Sequence, residues 1–464
     1  MLRKTNAARV LALVTMLWTV ACGSGDPTSD TETAAADAVV NTATPQASPP
    51  KSSHGNARRT PAFAAVIDTD VALPATESPA PKAPAPTTTT PPPAPSPTPV
   101  PAPTPAPTPA PTPAQLRGTN LVGMEGGYGF DAASGPVPDT HYAVHSTQVI
   151  DYLVTKKVDV IRFLFSWERM QSKLRGPVPA ATSGNYKAYF DDYKRIVDYA
   201  TSKGMTVVVE PWQANSGGGA GGARWRGNLV GGGAVSSADF ADFWAKMAAV
   251  YASNPRVAIG LVNEPNSMST MAWFGIAQDA ITAIRGAGFT GDIHVPGNGW
   301  TGAGSWNDAS YDTASTKRSN AYGWMNARGA GQPLLDPMGK LIVSVHSYAD
   351  SDASGGSTGV VSSTITRTRL AGVVSWARAN GLRVFVGEIG MYASAANASS
   401  NWGDFVSYLN ANQDTLLGFA WWACGKPGWW NDVAASGGGH FAITPTGNYS
   451  GDTVNMKMIQ GAFQ

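Results

Sequence analysis

The sequence predicts a parallel (β/α)8 barrel over residues 115–464, and three observations support this fold class. Eight short apolar runs, rich in β-branched residues, recur in this part of the chain. Amphipathic stretches with helical spacing lie between most of the runs. The runs are apolar at successive positions, as expected for strands of a parallel sheet that is covered on both faces. An open doubly wound sheet is the alternative, but a count of eight strands favours a closed barrel.

The predicted strands and helices alternate along the chain. We expect the strands at 119–123, 158–164, 205–210, 257–262, 292–297, 341–346, 383–388 and 416–422. The clearest helices are predicted at 189–204, 237–255 and 369–381. Gly204 and Pro255 mark the ends of the first two helices, because glycine and proline commonly stop a helix.

Residues 1–22 predict an export signal of the lipoprotein type. A positively charged start precedes the apolar core 10–20, which is too short to remain as a membrane-spanning helix. The core leads into Thr-Val-Ala-Cys, which resembles a bacterial lipoprotein box in which Cys22 carries the lipid. An ordinary secretory signal cleaved near Ala21 is the alternative.

Residues 23–114 predict an extended linker. The segment begins polar, becomes rich in Pro, Ala and Thr, and closes with a short repeat over 98–114. Proline fixes φ and removes backbone donors, so a segment of this composition forms no packed core and acts as a semi-rigid spacer. We expect a stalk or a passive tether between the membrane and the barrel.

The composition excludes several classes of function. The formal net charge is +1 and 14% of the residues are charged, so the chain lacks the basic stripe that nucleic-acid binding requires. With Cys22 lipidated, the second of the two cysteines has no partner for an intramolecular disulfide. There is no His-Glu-x-x-His motif and no Cys/His cluster, so no metal or cofactor is predicted. Fifteen Trp residues are many for this length.

Polar and aromatic residues gather at the carboxyl ends of the predicted strands. In a (β/α)8 barrel these ends meet at one rim, where catalytic residues lie. A lone Glu, Arg or His at such an end is usually solvated or structural, but that explanation weakens when several occupy equivalent positions. The residues at these ends are Arg162, Glu210, Trp212, Asn263, Glu264, His346, Tyr348, Glu388, Trp421 and Trp422, with Trp429 and Trp430 shortly after the last strand.

Glu264 and Glu388 would supply the pair of carboxyls that glycoside hydrolysis requires. One carboxyl, held protonated, donates to the leaving oxygen, and the other attacks the sugar carbon or activates water. A positive charge lowers the pKa of a neighbouring carboxyl, so we expect Arg162 to keep one of the two ionised. His346 and Tyr348 alternate on the sixth strand and could hydrogen-bond one carboxyl.

Several segments of the domain together resemble glycoside hydrolase family 5, in its endoglucanase branch. They are residues 118–127, 160–170, 262–266, 296–306, 345–355, 386–390 and 419–425. The resemblance covers essentially all of 116–464 and implies a retaining mechanism. It also implies that Glu264 is the acid/base and Glu388 the nucleophile.

The same resemblance implies roles for the neighbouring side chains. Asn263 would bind the sugar 2-hydroxyl, and Arg162 and Tyr348 would contact the nucleophile. His346 would lie beside the acid/base or the sugar. Trp422 would stack at the cleavage subsite, and Trp430 follows in a stretch where aromatic faces could also stack on sugar rings.

One segment departs from the family pattern. Residues 210–215 read Glu-Pro-Trp-Gln-Ala-Asn, so Trp212 stands where the family usually has a His. This change alters the hydrogen bonding available in that subsite, and with it the preference among substrates.

The sequence therefore predicts a retaining endo-β-1,4-glucanase acting on cellulose or mixed-linkage β-glucan. β-Mannan is the alternative substrate, and an inactive surface glycan-binding protein is the alternative from another class. We expect a monomer without cofactor or nucleic-acid partner, associated with a membrane only through lipid on Cys22. It would be exported to the outer membrane or cell surface, or secreted after release.

Overall fold

The computed structural model of the chain describes residues 115–126, 132–212, 222–429 and 439–463. All of these residues belong to one compact unit. The predicted signal peptide (1–22), the predicted linker (23–114), the lipidation site Cys22 and the substrate-stacking Trp430 lie outside the described residues. They therefore stay predictions.

Eight strands form the closed parallel barrel that the sequence predicts. Each strand pairs with its neighbours in chain order, and the last pairs with the first to complete the ring. The predicted strands are confirmed, with ends that differ by a few residues. The strands are β1 (Leu116–Leu121), β2 (Val160–Phe165), β3 (Thr206–Pro211), β4 (Val257–Gly260), β5 (Ile293–Pro296), β6 (Leu341–Tyr348), β7 (Arg383–Gly390) and β8 (Leu416–Cys424).

A helix follows each strand on the outside of the barrel. These helices are α1 (Gln148–Thr155), α2 (Gly184–Ser202), α3 (Ser237–Tyr251), α4 (Thr270–Gly286), α5 (Asn320–Met325), α6 (Ile365–Ala379), α7 (Ala398–Ala411) and α8 (Val454–Ile459). Shorter helical turns are Trp167–Met170, Ala303–Ser305, Gly439–Phe441 and Gln460–Phe463, and Arg224–Trp225 pairs with Asn228–Leu229 as a small antiparallel hairpin. In the described part of the chain, no helix combines the length and apolar character needed to cross a membrane.

The helix α2 begins five residues before its predicted start. Its buried side chains include Tyr186, Tyr189 and Tyr193, at the three- and four-residue spacing of one helix face. The prediction began at Tyr189 and so omitted the first turn of this face. The chain leaves the helix at Gly204, whose φ of +92° is a conformation that glycine adopts without steric cost.

Two apolar clusters give the strands an outer and an inner face. The larger cluster packs strands against helices. The smaller one consists of strand residues from the amino-terminal halves, among them Val160, Val208 and Ile342. Successive side chains of a strand alternate between its faces, so the inward residues that follow Val160 and Val208 are Arg162 and Glu210. The barrel interior therefore changes from an apolar floor to a polar rim.

The strand β7 carries an extra residue that redirects its last side chains. Val345 of β6 pairs with Val386, whereas His346 pairs with Glu388, so Gly387 is the additional residue of a β-bulge. Val386 belongs to the outer cluster, and strict alternation would turn Glu388 outward as well. The bulge instead places the Glu388 carboxyl inside the barrel.

Candidate active site

A buried arginine stands at the centre of the polar rim. The Arg162 guanidinium donates to both carboxyl oxygens of Glu210, at 2.8 and 2.6 Å. It also donates to Asn120 Oδ1 at 2.7 Å, to Glu388 Oε1 at 2.8 Å and to Asn263 Oδ1 at 2.6 Å. One side chain of β2 therefore joins groups from β1, β3, β7 and the end of β4.

Asn120 and Glu210 are the members of this network whose part the sequence did not reveal. Asn120 Nδ2 donates to the carbonyls of Gly387 and Ala420, at 2.9 and 3.1 Å, and so ties β1 to β7 and β8. The sequence places Glu210 at the end of a strand but predicts no function for it. Asn120 also lies near the end of its strand, and this position was the available signal.

Glu388 is buried and held by two donors. Arg162 donates to Oε1, and the Tyr348 hydroxyl donates to Oε2 at 2.5 Å. Burial raises the pKa of the Glu388 carboxyl, against the opposing effects of His346, Arg162 and the Tyr348 hydroxyl. The contact predicted between Arg162 and this carboxyl is present, but burial outweighs its effect on the pKa. The net shift is upward rather than downward.

Glu264 follows β4 in a left-handed backbone conformation, with φ of +46°. His346 Nδ1 lies 2.7 Å from Glu264 Oε1 and 3.4 Å from Glu388 Oε2. Burial raises the pKa of Glu264 to about 7, while the charge of Arg162 lowers it and that of Glu210 raises it. Burial also lowers the pKa of His346 to about 4. Near neutral pH, His346 is thus uncharged and Glu264 retains a proton in part of the molecules.

The two carboxyls and the imidazole form a tight group. One oxygen of Glu264, one oxygen of Glu388 and a ring nitrogen of His346 all lie within 4.8 Å of one another. These distances would also suit a metal ion. The hydrogen bonds of His346 with Glu264 and of Tyr348 with Glu388 already explain why these groups lie close together. The arrangement is suited to proton transfer.

Asn263 presents a buried donor at the same rim. Its Oδ1 accepts from Arg162, which fixes the orientation of the amide. Its Nδ2 is buried and has no hydrogen-bond partner among the residues that the structure describes. A buried amide group without a partner is costly, so this donor points to a polar ligand group.

The predicted tryptophans take different positions around the rim. Trp422 is largely buried at the end of β8, and Trp421 is fully buried, donating from Nε1 to the carbonyl of Phe441 at 2.9 Å. Trp212 is partly buried directly after β3, where its backbone N–H donates to the carbonyl of Phe165. Trp429 is 40% exposed.

An exposed aromatic pair, Trp300 and Tyr311, lies beside the Glu264 loop and was not predicted. Their rings meet edge to face at a centroid distance of 5.7 Å. The Trp300 N–H donates to the carbonyl of Pro265 at 3.0 Å. Trp300 and Thr301 both have positive φ, and the Thr301 hydroxyl donates to the Ser344 carbonyl at 2.6 Å. These hydrogen bonds hold the loop beside Glu264, and residues with such backbone conformations are common at functional sites.

Comparison with known proteins gives a consistent result. Residues 113–425 match the family model "Cellulase (glycosyl hydrolase family 5)". Endo-beta-1,4-glucanase A of Emericella nidulans is 34% identical over 320 residues, which are 68% of this chain and 84% of that protein. Endo-beta-1,4-glucanase B of Aspergillus niger is 30% identical over 322 residues, 69% of this chain and 83% of that protein.

Solved structures agree with these relatives. An endo-beta-1,4-glucanase from Xanthomonas axonopodis pv. citri has a TM-score of 0.63 and 28% identity, covering 75% of this chain and 98% of that one. The endoglucanase Cel5A of Pseudomonas stutzeri, solved with cellobiose, has a TM-score of 0.58 and 26% identity, covering 75% and 92%.

A closed parallel barrel with two neighbouring carboxyls at its carboxyl-terminal rim defines a glycoside hydrolase. More narrowly, the chain belongs to glycosyl hydrolase family 5, the cellulase family. The resemblance read from the sequence motifs is thereby confirmed.

Proposed function

We propose that the chain is a retaining endo-β-1,4-glucanase that cleaves internal bonds of cellulose or mixed-linkage β-glucan. The observation that carries the mechanism is the spacing of Glu264 and Glu388, which bring one oxygen each to within 4.8 Å. Carboxyls about 5–5.5 Å apart are typical of retaining glycosidases, whereas inverting enzymes need roughly 6.5–9.5 Å to admit a water. The 4.8 Å limit refers to the nearest oxygens of the two groups. Oxygens this close leave little room for a water between them, which supports direct attack by one carboxylate on the sugar.

In the first step the Glu388 carboxylate attacks the anomeric carbon. The bond to the leaving oxygen breaks, and Glu264 donates its proton to that oxygen. In the second step Glu264, now ionised, takes a proton from water, whose oxygen attacks the anomeric carbon and releases Glu388. The surroundings suit these roles, because the pKa of Glu264 lies at about 7 while Glu388 receives two hydrogen bonds.

The side chains around the carboxyls would hold the sugar. Asn263 Nδ2 is the donor available for a sugar hydroxyl. Trp422 and Trp212 offer apolar faces at the ends of β8 and β3, and Trp300 is 42% exposed beside the Glu264 loop. The names of the relatives, endo-beta-1,4-glucanase, support a β-glucan as the substrate. β-Mannan remains the second candidate, because Trp212 replaces a hydrogen-bonding group with an apolar one.

The substrate is tested with four polysaccharides. Reducing sugar should be released from carboxymethylcellulose and barley β-glucan, and more slowly from glucomannan. Hydrolysis of mannan alone would contradict the glucanase proposal. Proton NMR of the first product should show the β-anomer before mutarotation, as retention requires, and the α-anomer would exclude it.

The two carboxyl roles are tested by substitution. Glu388→Ala should abolish hydrolysis, and Glu264→Ala should lose most activity on cellulose but less on aryl glycosides with acidic leaving groups. Asp404→Asn, on the outer helix α7, is the matched control and should retain full activity. Glycan binding by a parent protein without measurable hydrolysis would instead favour the binding-protein alternative.

We also propose that residues 1–22 direct export and that Cys22 is lipidated, on the strength of the sequence pattern. Radiolabelled palmitate should be incorporated into the parent chain in a bacterial host and absent from Cys22→Ser. A secreted, unlabelled parent would favour the ordinary signal peptide.

A further inference from the structure

We propose that Glu210 is a charge-balancing residue of the catalytic centre, and that Gly260, which has no side chain, leaves the space that the Glu210 carboxyl needs to reach Arg162. In this inference Glu210 balances the charge of Arg162 throughout the reaction. Glu264 therefore holds its proton until the leaving oxygen takes it, and Glu388 can form an ester. The inference rests on the proposed function of the same site. It adds a positioning residue on β3 and a steric requirement on β4.

The pairing of Glu210 with Arg162 is bidentate and buried. Nε of Arg162 lies 2.8 Å from Oε2, and Nη2 lies 2.6 Å from Oε1. Both side chains are almost completely shielded from solvent. Two parallel charge-assisted hydrogen bonds fix the plane of the guanidinium. Glu210 therefore orients the guanidinium for its remaining hydrogen bonds, to Asn120, Glu388 and Asn263.

Gly260 leaves the space that the Glu210 carboxyl occupies. A Cβ atom built on Gly260 would lie 2.0 Å from Glu210 Oε2 and 2.6 Å from the carboxyl carbon. Such distances are far inside van der Waals contact, so any side chain at this position would displace the carboxyl. A glycine within a strand commonly marks a close approach of another group. Here that group is the counter-charge of Arg162.

The charges around Glu264 show what Glu210 contributes. Arg162 favours ionisation of Glu264, and Glu210 opposes it. The other titratable groups of the centre are His346, which is neutral because burial lowers its pKa to about 4, Glu388 and the Tyr348 phenol. Glu125 also interacts with Arg162, and burial raises the pKa of its carboxyl to about 7. With Glu210 and Glu388 both ionised, the positive charge of Arg162 faces two negative charges. Removing the charge of Glu210 would leave Arg162 more strongly attractive to a carboxylate on Glu264.

The need for Glu210 is greatest after the first chemical step. When Glu388 attacks the sugar, its carboxylate becomes a neutral ester, and the leaving oxygen takes the proton of Glu264. Arg162 cannot lose its proton, and a buried charge without a partner is strongly destabilising. Glu210 remains paired with Arg162 in that state. Of Glu210 and Glu388, the two carboxylates that contact Arg162, Glu210 is the one that never takes part in bond formation.

The first test is Glu210→Gln, which keeps the size and removes the charge. We expect kcat on β-glucan to fall by at least about tenfold. The basic limb of the kcat/KM profile should move to lower pH by about one unit, because the unbalanced guanidinium favours ionised Glu264. Glu210→Asp keeps the charge and should leave that limb in place despite a lower kcat. An unchanged basic limb in Glu210→Gln would overturn the inference, because a merely structural residue would lower activity without moving it.

The second test uses the space at Gly260. Gly260→Ala should lower kcat by displacing the Glu210 carboxyl, and Glu210→Asp should lower it by withdrawing the carboxyl from Arg162. In the double variant the aspartate lacks the Oε2 and Cδ positions that lie 2.0 and 2.6 Å from the new methyl group. Only its carboxyl carbon, at the place of Glu210 Cγ, stays 2.8 Å from the methyl, so the crowding is reduced. The activity of the double variant should therefore exceed the product of the two single effects by about fivefold or more, as a double-mutant cycle measures. Multiplicative effects would contradict the steric part of the inference.

A third measurement does not depend on catalysis. The chain contains seven glutamates, so protein labelled with 13C at the glutamate carboxyls gives a small set of signals. The signal absent in Glu264→Gln identifies Glu264, and its titration midpoint should fall in Glu210→Gln. If the parent hydrolyses no glycan but this midpoint shifts, the proposed function fails and the charge balance stands. If the parent is active and the midpoint is unmoved, the charge balance fails alone.

Discussion

Two residues of the same type, Glu264 and Glu388, differ in the donors that surround them. Glu388 accepts from a guanidinium and a phenol, which together favour its ionised form. Glu264 contacts the neutral imidazole of His346. Burial is the largest influence on the pKa of Glu264 and raises it to about 7. In the proposed mechanism, these neighbouring side chains determine which glutamate donates the proton and which attacks the sugar.

The pH dependence of catalysis should reflect both carboxyls. Glu264 must carry a proton, so kcat/KM should fall as pH rises through about 7. Glu388 must be ionised, so kcat/KM should also fall as pH drops through a value above the ordinary range of a glutamate. The measurement is a pH profile with barley β-glucan, corrected for enzyme inactivation. A rate still rising at pH 9 would contradict the assignment of Glu264 as proton donor.

The Tyr348 hydroxyl should control the acidic side of that profile. Tyr348→Phe removes a hydrogen bond that stabilises the Glu388 carboxylate, so the pKa of Glu388 should rise further. We expect the acidic limb to move to higher pH and kcat to fall by about ten- to a hundredfold. Tyr408→Phe, on the outer helix α7, serves as the control and should leave both limbs unchanged.

At the scale of single elements, periodicity predicts the strands but not the direction of every side chain. The apolar runs predict all eight strands, because buried parallel strands are apolar on both faces. The inward direction of Glu388 depends on the bulge at Gly387, which strict alternation does not anticipate. The partnership of Glu210 with Gly260 joins two strands through space, and no local pattern of the sequence reveals it.

The loop after β5 should contribute to binding on the leaving-group side of the cleft. Trp300 is exposed and hydrogen-bonded through its backbone to Pro265, next to Glu264, the proposed proton donor. Trp300→Ala should raise KM for cellopentaose by about tenfold, because stacking on one aromatic ring contributes roughly 1–3 kcal/mol by analogy with flat bases. Hydrolysis of an aryl cellobioside, which has no sugar on that side, should change little.

The control for this loop is Tyr322→Ala. Tyr322 is similarly exposed but lies on α5, where Arg318 covers its ring at 4.4 Å. Tyr322→Ala should change neither the KM for cellopentaose nor the hydrolysis of the aryl cellobioside. An equal loss on the aryl cellobioside and on cellopentaose in Trp300→Ala would show a disturbed catalytic centre rather than a lost sugar contact.

At the scale of the whole barrel, the catalytic network is also an internal brace. Hydrogen bonds across the interior connect five strand ends through the side chains of Asn120, Arg162, Glu210, Asn263 and Glu388. A buried ionic network is weak evidence for stability, because desolvation offsets its attraction. Breaking it from one side is nevertheless costly, since the remaining charges stay buried without a partner.

Arg162→Met should therefore destabilise the fold in a pH-dependent way. The substitution leaves the buried carboxyls of Glu210 and Glu388 without their positively charged partner, which should lower the free energy of unfolding by about 3–5 kcal/mol at pH 8. Protonation in the folded state removes the unpaired charges. A buried carboxyl that binds its proton more tightly when folded stabilises the protein at low pH and loses this effect as pH rises. The deficit should thus shrink at pH 5, as urea unfolding would measure. Arg367→Met, which breaks an exposed pair with Asp404 on the helices, should cost less than about 1 kcal/mol at either pH, and an equal cost for both variants would argue against the brace.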